Sequence, residues 1–267
     1  MKIGFIGTGN MGQAIIEGFI ASQKVKKEDI FIFDTDKSKS EILTEKYGVK
    51  AAENESSLAK LSDLIILAVK PNIYDKILEL IKTEIDNKKI ILTIAAGYSI
   101  DRAEKILGNE KKIIRTMPNT PAQILEGMTG VVFNKNINNE EKTEILELLK
   151  SFGGAEEIDE SLMHVFTSIS GSIPAVVDIF IEALADGAVL NGMPRDKAYR
   201  ILSEAVAGSA HMVGKTKKHP GLLKDEVCSP GGTTIEAVAA LEKKGFRAAL
   251  IEAVNKCTEK SVKLSEK

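Results

Sequence analysis

The chain has 267 residues, 43% of them hydrophobic and 28% charged, with a formal net charge of −2. That is the balance of a globular protein long enough for two domains, with no electrostatic reason to bind nucleic acid or an anionic membrane. No apolar run is long enough to span a bilayer, Trp is absent so a base-stacking platform has no support, and Cys228 and Cys257 give neither a disulfide framework nor metal spacing. A reducing, cytoplasmic location is the simplest expectation, with no metal, no nucleic acid and no membrane as partner.

In chain order, Lys2-Ile3-Gly4-Phe5-Ile6 reads as a buried strand that runs directly into Gly7-Thr8-Gly9-Asn10-Met11-Gly12 and then a helix from about Ile15. This is G-x-G-x-x-G in its required strand–turn–helix setting. Gly7 permits the tight turn, Gly9 lets the backbone approach a pyrophosphate, and Gly12 lets the helix pack close to the strand. The second apolar run, 30–33, ends in Asp34, about 20 residues past the last glycine, where an acid is expected on the adenosine ribose. Further runs follow at 64–69, 90–95, 113–116 and 130–133, with helical stretches at Ser38–Lys46, Tyr74–Glu84 and Ile100–Leu107 between them. The alternation predicts parallel βαβ units in a doubly wound sheet, with cofactor at the carboxyl ends of the strands. Gly48 stands at a helix C-cap, Asn54-Glu55-Ser56-Ser57 offers caps to a short helix, and Pro71 is expected to end the third strand.

After about residue 160 strand-like runs disappear. Residues 161–267 read as an all-helical domain, against 1–160 for the sheet domain. The stretch Pro174–Ala185 is apolar on more than one face, which predicts burial either in a large core or against another subunit, and the domain is expected to dimerise. Pro194 reads as the first residue of a helix, 235–264 as two helices broken at Gly245, and the charged stretch Lys256–Lys267 as a solvated helix end. His219 reads as a structural residue beside Pro220, Asp178 as a capped or surface acid, and Lys70 as a solvated lysine at a strand end before a proton donor.

Cys228-Ser229-Pro230-Gly231-Gly232-Thr233-Thr234 precedes the helix near Ile235. Glycines here let backbone N–H groups turn inward, the first-turn N–H groups lack intrahelical partners, and the Thr hydroxyls add donors. The residues alone read equally as an anion site or as a tight loop with an N-capping threonine.

With these residues in place the chain resembles the pyrroline-5-carboxylate reductases over essentially its whole length. The matching stretches are Ile6–Met11, Ala68–Pro71, Arg115–Pro121, His219–Asp225 and Cys228–Thr234, of which Ser229–Thr234 is the most specific. The resemblance implies an N-terminal Rossmann-type sheet followed by an all-helical dimerisation domain, a homodimer often built into a decamer, and reduction of 1-pyrroline-5-carboxylate to L-proline by NADPH or NADH. It places Ile6, Gly7, Thr8, Gly9, Asn10 and Met11 on the pyrophosphate and Asn54 near the adenosine ribose. Ala68, Val69, Lys70 and Pro71, with Ala95, Ala96 and Gly97, fall on the nicotinamide side. Ser229, Gly231, Gly232, Thr233 and Thr234 fall on the substrate carboxylate. Two departures stand out: Lys215-Thr216-Lys217-Lys218 holds no acid where the family often carries one, and Ile173 replaces a glycine of Gly-Ser-Gly-Pro-Ala.

Imine reduction asks little of side chains, and Thr234, or water, is the expected proton relay. Asp34 favours a free 2′-hydroxyl, whereas Lys37 and Lys39 suit a 2′-phosphate, so both coenzymes are expected to serve. Two other readings fit less of the chain. A β-hydroxyacid dehydrogenase needs a general base, typically a lysine of the second domain. A dinucleotide sensor needs no second anion turn.

Overall fold

The computed structural model describes residues 1–265, and they fall into two compact units. The first holds Met1–Ser172 and the segment from Cys257 onward; the second is Ile173–Lys256.

The first unit is built on an eight-stranded sheet. In chain order it carries β1 (Ile3–Ile6), α1 (Asn10–Ala21), β2 (Ile30–Phe33), α2 (Lys37–Tyr47), β3 (Lys50–Ala51), α3 (Glu55–Leu61), β4 (Leu64–Leu67), α4 (Tyr74–Ile81), β5 (Ile90–Thr93), α5 (Ile100–Leu107), β6 (Lys112–Met117), β7 (Gly127–Phe133), α6 (Asn139–Leu149) and β8 (Gly153–Glu157), then the short helix α7 (Met163–Phe166). The strand order is β3-β2-β1-β4-β5-β6-β7-β8, so the winding reverses between β1 and β4. Strands buried on both sides read as continuous apolar runs. Alternate residues then feed two separate cores. Ile3 and Phe5 join Leu64, Ile66, Ile15 and Phe19 on one face. Ile6 joins Ile65, Leu67, Leu58 and Leu78 on the other.

The sheet corrects the sequence reading in three places. The runs 64–69 and 90–95 yield strands only to Leu67 and Thr93, and Pro71 opens a 3₁₀ turn (Pro71–Ile73) instead of ending the strand. β7 is antiparallel to β6, because the connection, a 3₁₀ turn over Thr120–Ile124, has no crossover helix. β8 follows the α6 crossover and returns parallel to β7. It carries no apolar run, being the edge sequence Gly-Gly-Ala-Glu-Glu, and β3 is a two-residue edge. The caps agree with the sequence. Gly48 is left-handed at φ 73°, and Asn54 and Ser57 form a reciprocal capping box on α3.

The second unit is helical: α8 (Ile173–Leu190), α9 (Arg195–Thr216), α10 (Pro220–Val227), α11 (Thr233–Lys243) and the first half of α12 (Phe246–Ser265). Pro194, expected at N1, is the N-cap of α9, and Arg195 takes the first helical position. Gly245, at φ 73°, breaks α11 from α12 as expected. α8 buries only Ala185 within the chain, while Ile179, Leu184 and Leu190 stay exposed at 65%, 41% and 88%. No described helix is long and apolar enough to cross a membrane.

The charged stretch from Lys256 is not simply solvated. Residues 266 and 267 lie outside the described residues, but Ser261 is buried and its hydroxyl meets His164 Nδ1 at 3.0 Å. Thr258 Oγ1 lies 2.7 Å from Ser168 Oγ, and Leu264 lies against Gly97. Small residues at a helical spacing let this half of α12 dock on the π-helical turn Thr167–Gly171.

Candidate functional site

The Gly-rich turn has the three properties its glycines were expected to confer. Gly7 sits at φ 95°, and a Cβ there would lie 2.6 Å from the Ala68 carbonyl. A Cβ on Gly12 would lie 2.8 Å from the Gly7 carbonyl, so any larger residue would push α1 off β1. Gly9 is the N-cap of α1, at φ −68°, and a Cβ on it would meet nothing within 4 Å. The approach to the first turn is therefore open, and the N–H groups of Asn10, Met11 and Gly12 point along the axis towards it. No acidic side chain stands in that first turn. A cradle of donors with an open glycine fits the pyrophosphate of a dinucleotide.

Asp34 does more than the sequence suggested. Its Oδ2 accepts from the Thr8 amide at 2.8 Å and the Thr8 hydroxyl at 2.9 Å, and its Oδ1 accepts from the Asp36 amide at 3.0 Å. Burial pushes the carboxyl pKa up, but the Asp36 and Thr8 bonds, with Lys39 nearby, hold it below its ordinary value. The carboxylate thus fixes the loop between Gly7 and Gly9, and about one of its four lone-pair directions is left for a ribose.

Two clefts meet at Asp34. One, of about 800 Å³, runs between the end of β2 and α2, past Lys37, Ser40, Glu41 and Glu53. The other, of about 150 Å³, lies between Ile6, Gly7 and Asp34 on one side and Val69, Glu55 and Ile73 on the other. The smaller lies at the carboxyl ends of β1 and β4, the strands flanking the reversal, where doubly wound sheets bind ligands, and the larger beside the end of β2. Asn54 sits between Glu53 and Glu55, each lining one cleft, but its own Oδ1 is taken by the Ser57 amide at 2.8 Å. Ala68, Val69, exposed Lys70 and Pro71 lead from β4, and Ala95, Ala96 and Gly97 lead from β5, with Gly97 at φ 77°.

In the second unit, Ser229-Pro230-Gly231-Gly232 closes a turn through the Gly232 amide and the Ser229 carbonyl at 3.0 Å, with Gly231 at φ 68°. Proline second and a left-handed glycine third is the pattern of a type II turn. Gly232, not a threonine, is the N-cap of α11, and no side chain caps it. Thr233 and Thr234 lie inside the first turn, which removes the N-capping-threonine reading. His219 is structural: its Nδ1 accepts from the Gly221 amide at 3.1 Å, capping α10. Asp178 is exposed.

One pair was not visible in the sequence. Arg115, within the Arg115–Pro121 stretch, is buried on β6 and its Nη1 meets Glu160 Oε1 at 2.9 Å; the same carboxylate accepts from the Ile100 amide at 3.0 Å. A lone arginine within an apolar strand demands a partner, but nothing in the sequence names a residue 45 positions away.

The reversal point, the glycine turn and the acid after β2 define a Rossmann-type dinucleotide-binding unit, joined to a helical unit with its own glycine turn. Residues 2–97 match the family described as NADP oxidoreductase coenzyme F420-dependent, and residues 160–264 match pyrroline-5-carboxylate reductase dimerisation. The chain is 50% identical to pyrroline-5-carboxylate reductase of Escherichia coli, over 99% of this chain and 98% of that protein. It is 40% identical to the Methanosarcina acetivorans enzyme of the same name, over 100% and 98%. The solved Plasmodium falciparum pyrroline carboxylate reductase with NADP bound superposes with a TM-score of 0.90 at 34% identity, covering 99% and 98% of the two chains. The chain belongs to the pyrroline-5-carboxylate reductase family.

Proposed function

We propose that this chain reduces 1-pyrroline-5-carboxylate to L-proline with NADPH or NADH. The observation that carries the reading is a pair of helix N-termini, each fronted by a glycine that leaves its approach open: Gly9 before α1 and Gly231 before α11, where the N-cap Gly232 is itself packed against Ser229. The first suits a diphosphate and the second a small carboxylate.

Ile6, Gly7, Thr8, Gly9, Asn10 and Met11 hold the pyrophosphate, with Asp34 and Asn54 on the ribose side. Ala68, Val69, Lys70, Pro71, Ala95, Ala96 and Gly97 line the nicotinamide. When bound, the coenzyme supplies the hydride. Ser229, Gly231, Gly232, Thr233 and Thr234 grip the carboxylate and so fix the orientation of the ring. The imine nitrogen carries a proton, the new C–H bond forms at the imine carbon, and the C=N pair moves to nitrogen. Orientation of this kind is worth about 7–11 kcal/mol in favourable intramolecular cases. Thr234 is the catalytic hydroxyl that relays the proton. Lys37 and Lys39 beside Asp34 support use of both coenzymes. The exposed apolar side chains of α8 support a homodimer, and the family resemblance a decamer of such dimers, located in the cytoplasm.

The test is oxidation of NADPH and NADH with 1-pyrroline-5-carboxylate as acceptor. Turnover to proline supports the reading, and Thr234→Ala should lower kcat/KM about 10- to 100-fold. Coenzyme binding without imine reduction would overturn it.

A further inference from the structure

A side chain takes the place of one rung of the sheet. Across β4 and β5, Leu64 faces Ile90 and Leu67 faces Thr93, and the Ile90 amide donates to the Asp63 carbonyl at 2.8 Å. Parallel ladders repeat every two residues, so the same pattern pairs the Ile94 amide with the Leu67 carbonyl. The Tyr74 hydroxyl stands between these two groups. It donates to the Leu67 carbonyl and accepts from the Ile94 amide at 3.3 Å. A direct bond of about 2.9 Å is thereby replaced by two bonds through an inserted oxygen, which keeps the strand ends apart.

The inserted rung lies where β4 passes into Ala68–Pro71 and β5 into Ala95–Gly97. Tyr74 is fully buried, and its ring packs on the Tyr98 ring at a centroid distance of 4.8 Å. The Tyr98 hydroxyl donates to Asp75 at 2.7 Å, and Arg102 grips the same carboxylate through Nε at 3.1 Å and Nη2 at 2.8 Å. The start of α4 and the far end of the β5 loop are therefore one braced cluster. Burial raises the Tyr74 phenol pKa, so the hydroxyl keeps the proton it donates.

We propose that Tyr74 is a positioning residue for the reaction: its hydroxyl wedges β4 from β5 and sets the spacing of the two loops that receive the nicotinamide. The proposal rests on the reading that these loops line the nicotinamide side. Asp34 follows β2, two strands from β4, so the adenosine end lies away from the wedge, whereas the Gly7–Gly12 turn packs on Ala68 beside it. Loss of the hydroxyl should therefore weaken one end of the coenzyme and spare the other.

The experiment is titration of the full-length parent and Tyr74→Phe with NADPH and with 2′,5′-ADP, which lacks the nicotinamide; NADH and ADP form a second pair. The expected result is NADPH binding roughly tenfold weaker, with 2′,5′-ADP affinity within about twofold of the parent. Unchanged NADPH affinity would overturn the proposal. So would equal weakening of both ligands, including through a poorly folded variant, because the hydroxyl would then hold the sheet as a whole. Turnover of the parent with 1-pyrroline-5-carboxylate is measured separately. A parent that binds both ligands but does not reduce the imine defeats the reaction reading and leaves the wedge standing.

Discussion

Replacing Asp34 with alanine should destabilise the fold as well as alter coenzyme binding. Thr8 is fully buried, and both its amide and its hydroxyl end on the Asp34 carboxylate. Removing that carboxylate strands two buried donors, at about 1–3 kcal/mol for each that finds no new partner. The hydroxyl can rotate and the exposed Asp36 amide can take water, so the net loss should be about 2–4 kcal/mol. For a chain of this size that is a fall in Tm of roughly 5–15 °C. Asp34→Asn keeps one acceptor oxygen and should lose about half as much. Thermal unfolding of both variants, beside titration with NADH and NADPH, reads the two effects separately. The sign of the pH dependence follows from the depressed folded pKa. The carboxylate's contribution is present above its ordinary value of 3.8 and is lost as pH falls through the folded value. Parent and Asp34→Asn should therefore converge in stability as pH drops below about 4. An Asp34→Ala chain that melts with the parent, and differs only in its NADH-to-NADPH ratio, would refute the reasoning. The acid would then serve the ribose alone.

Glu160→Ala should cost about 1–3 kcal/mol in chemical denaturation, since it leaves buried Arg115 unpaired while water reaches the half-exposed partner site. Ile179→Asp with Leu184→Asp should convert the assembly to monomers in light scattering, because each charge replaces an apolar side chain whose burial is worth about 1.5–3 kcal/mol; an unchanged mass would place the interface elsewhere. Burial, then the charge of Arg115, holds His164 below its ordinary 6.5. Its contribution is present above that value and lost as pH falls, so below about pH 6.5 the parent should lose Tm faster than His164→Gln.

The sheet was legible wherever strands are buried on both faces, since Ile30–Phe33 and Leu64–Leu67 allow no other period. It was illegible at the edges. Lys50–Ala51 and Gly153–Glu157 pair through backbone alone and have little apolar patterning to betray them. Glycine positions in the two turns were readable because each answers a local need: a positive φ at Gly7 and Gly231, a close contact at Gly12. What escaped were side chains whose partners are fixed only by folding. Asp34 was read as a ribose acid but is also the anchor of Thr8, and Tyr74 was one more aromatic in a helical stretch. The charged segment after Lys256 was misread for the same reason. Its docking depends on Ser168 and His164, which no helical period of its own could reveal.

The way α12 returns to the first unit matters for synthesis on the ribosome. The sheet and its crossover helices are translated first, but the groove around His164, Ser168 and Gly97 stays unfilled until Thr258, Ser261 and Leu264 emerge. The dinucleotide unit therefore cannot mature vectorially: its last strut is made after the whole helical insert. A chain stalled anywhere in α9 to α11 would carry a nearly complete nucleotide fold with an open flank, a natural target for chaperones and proteases.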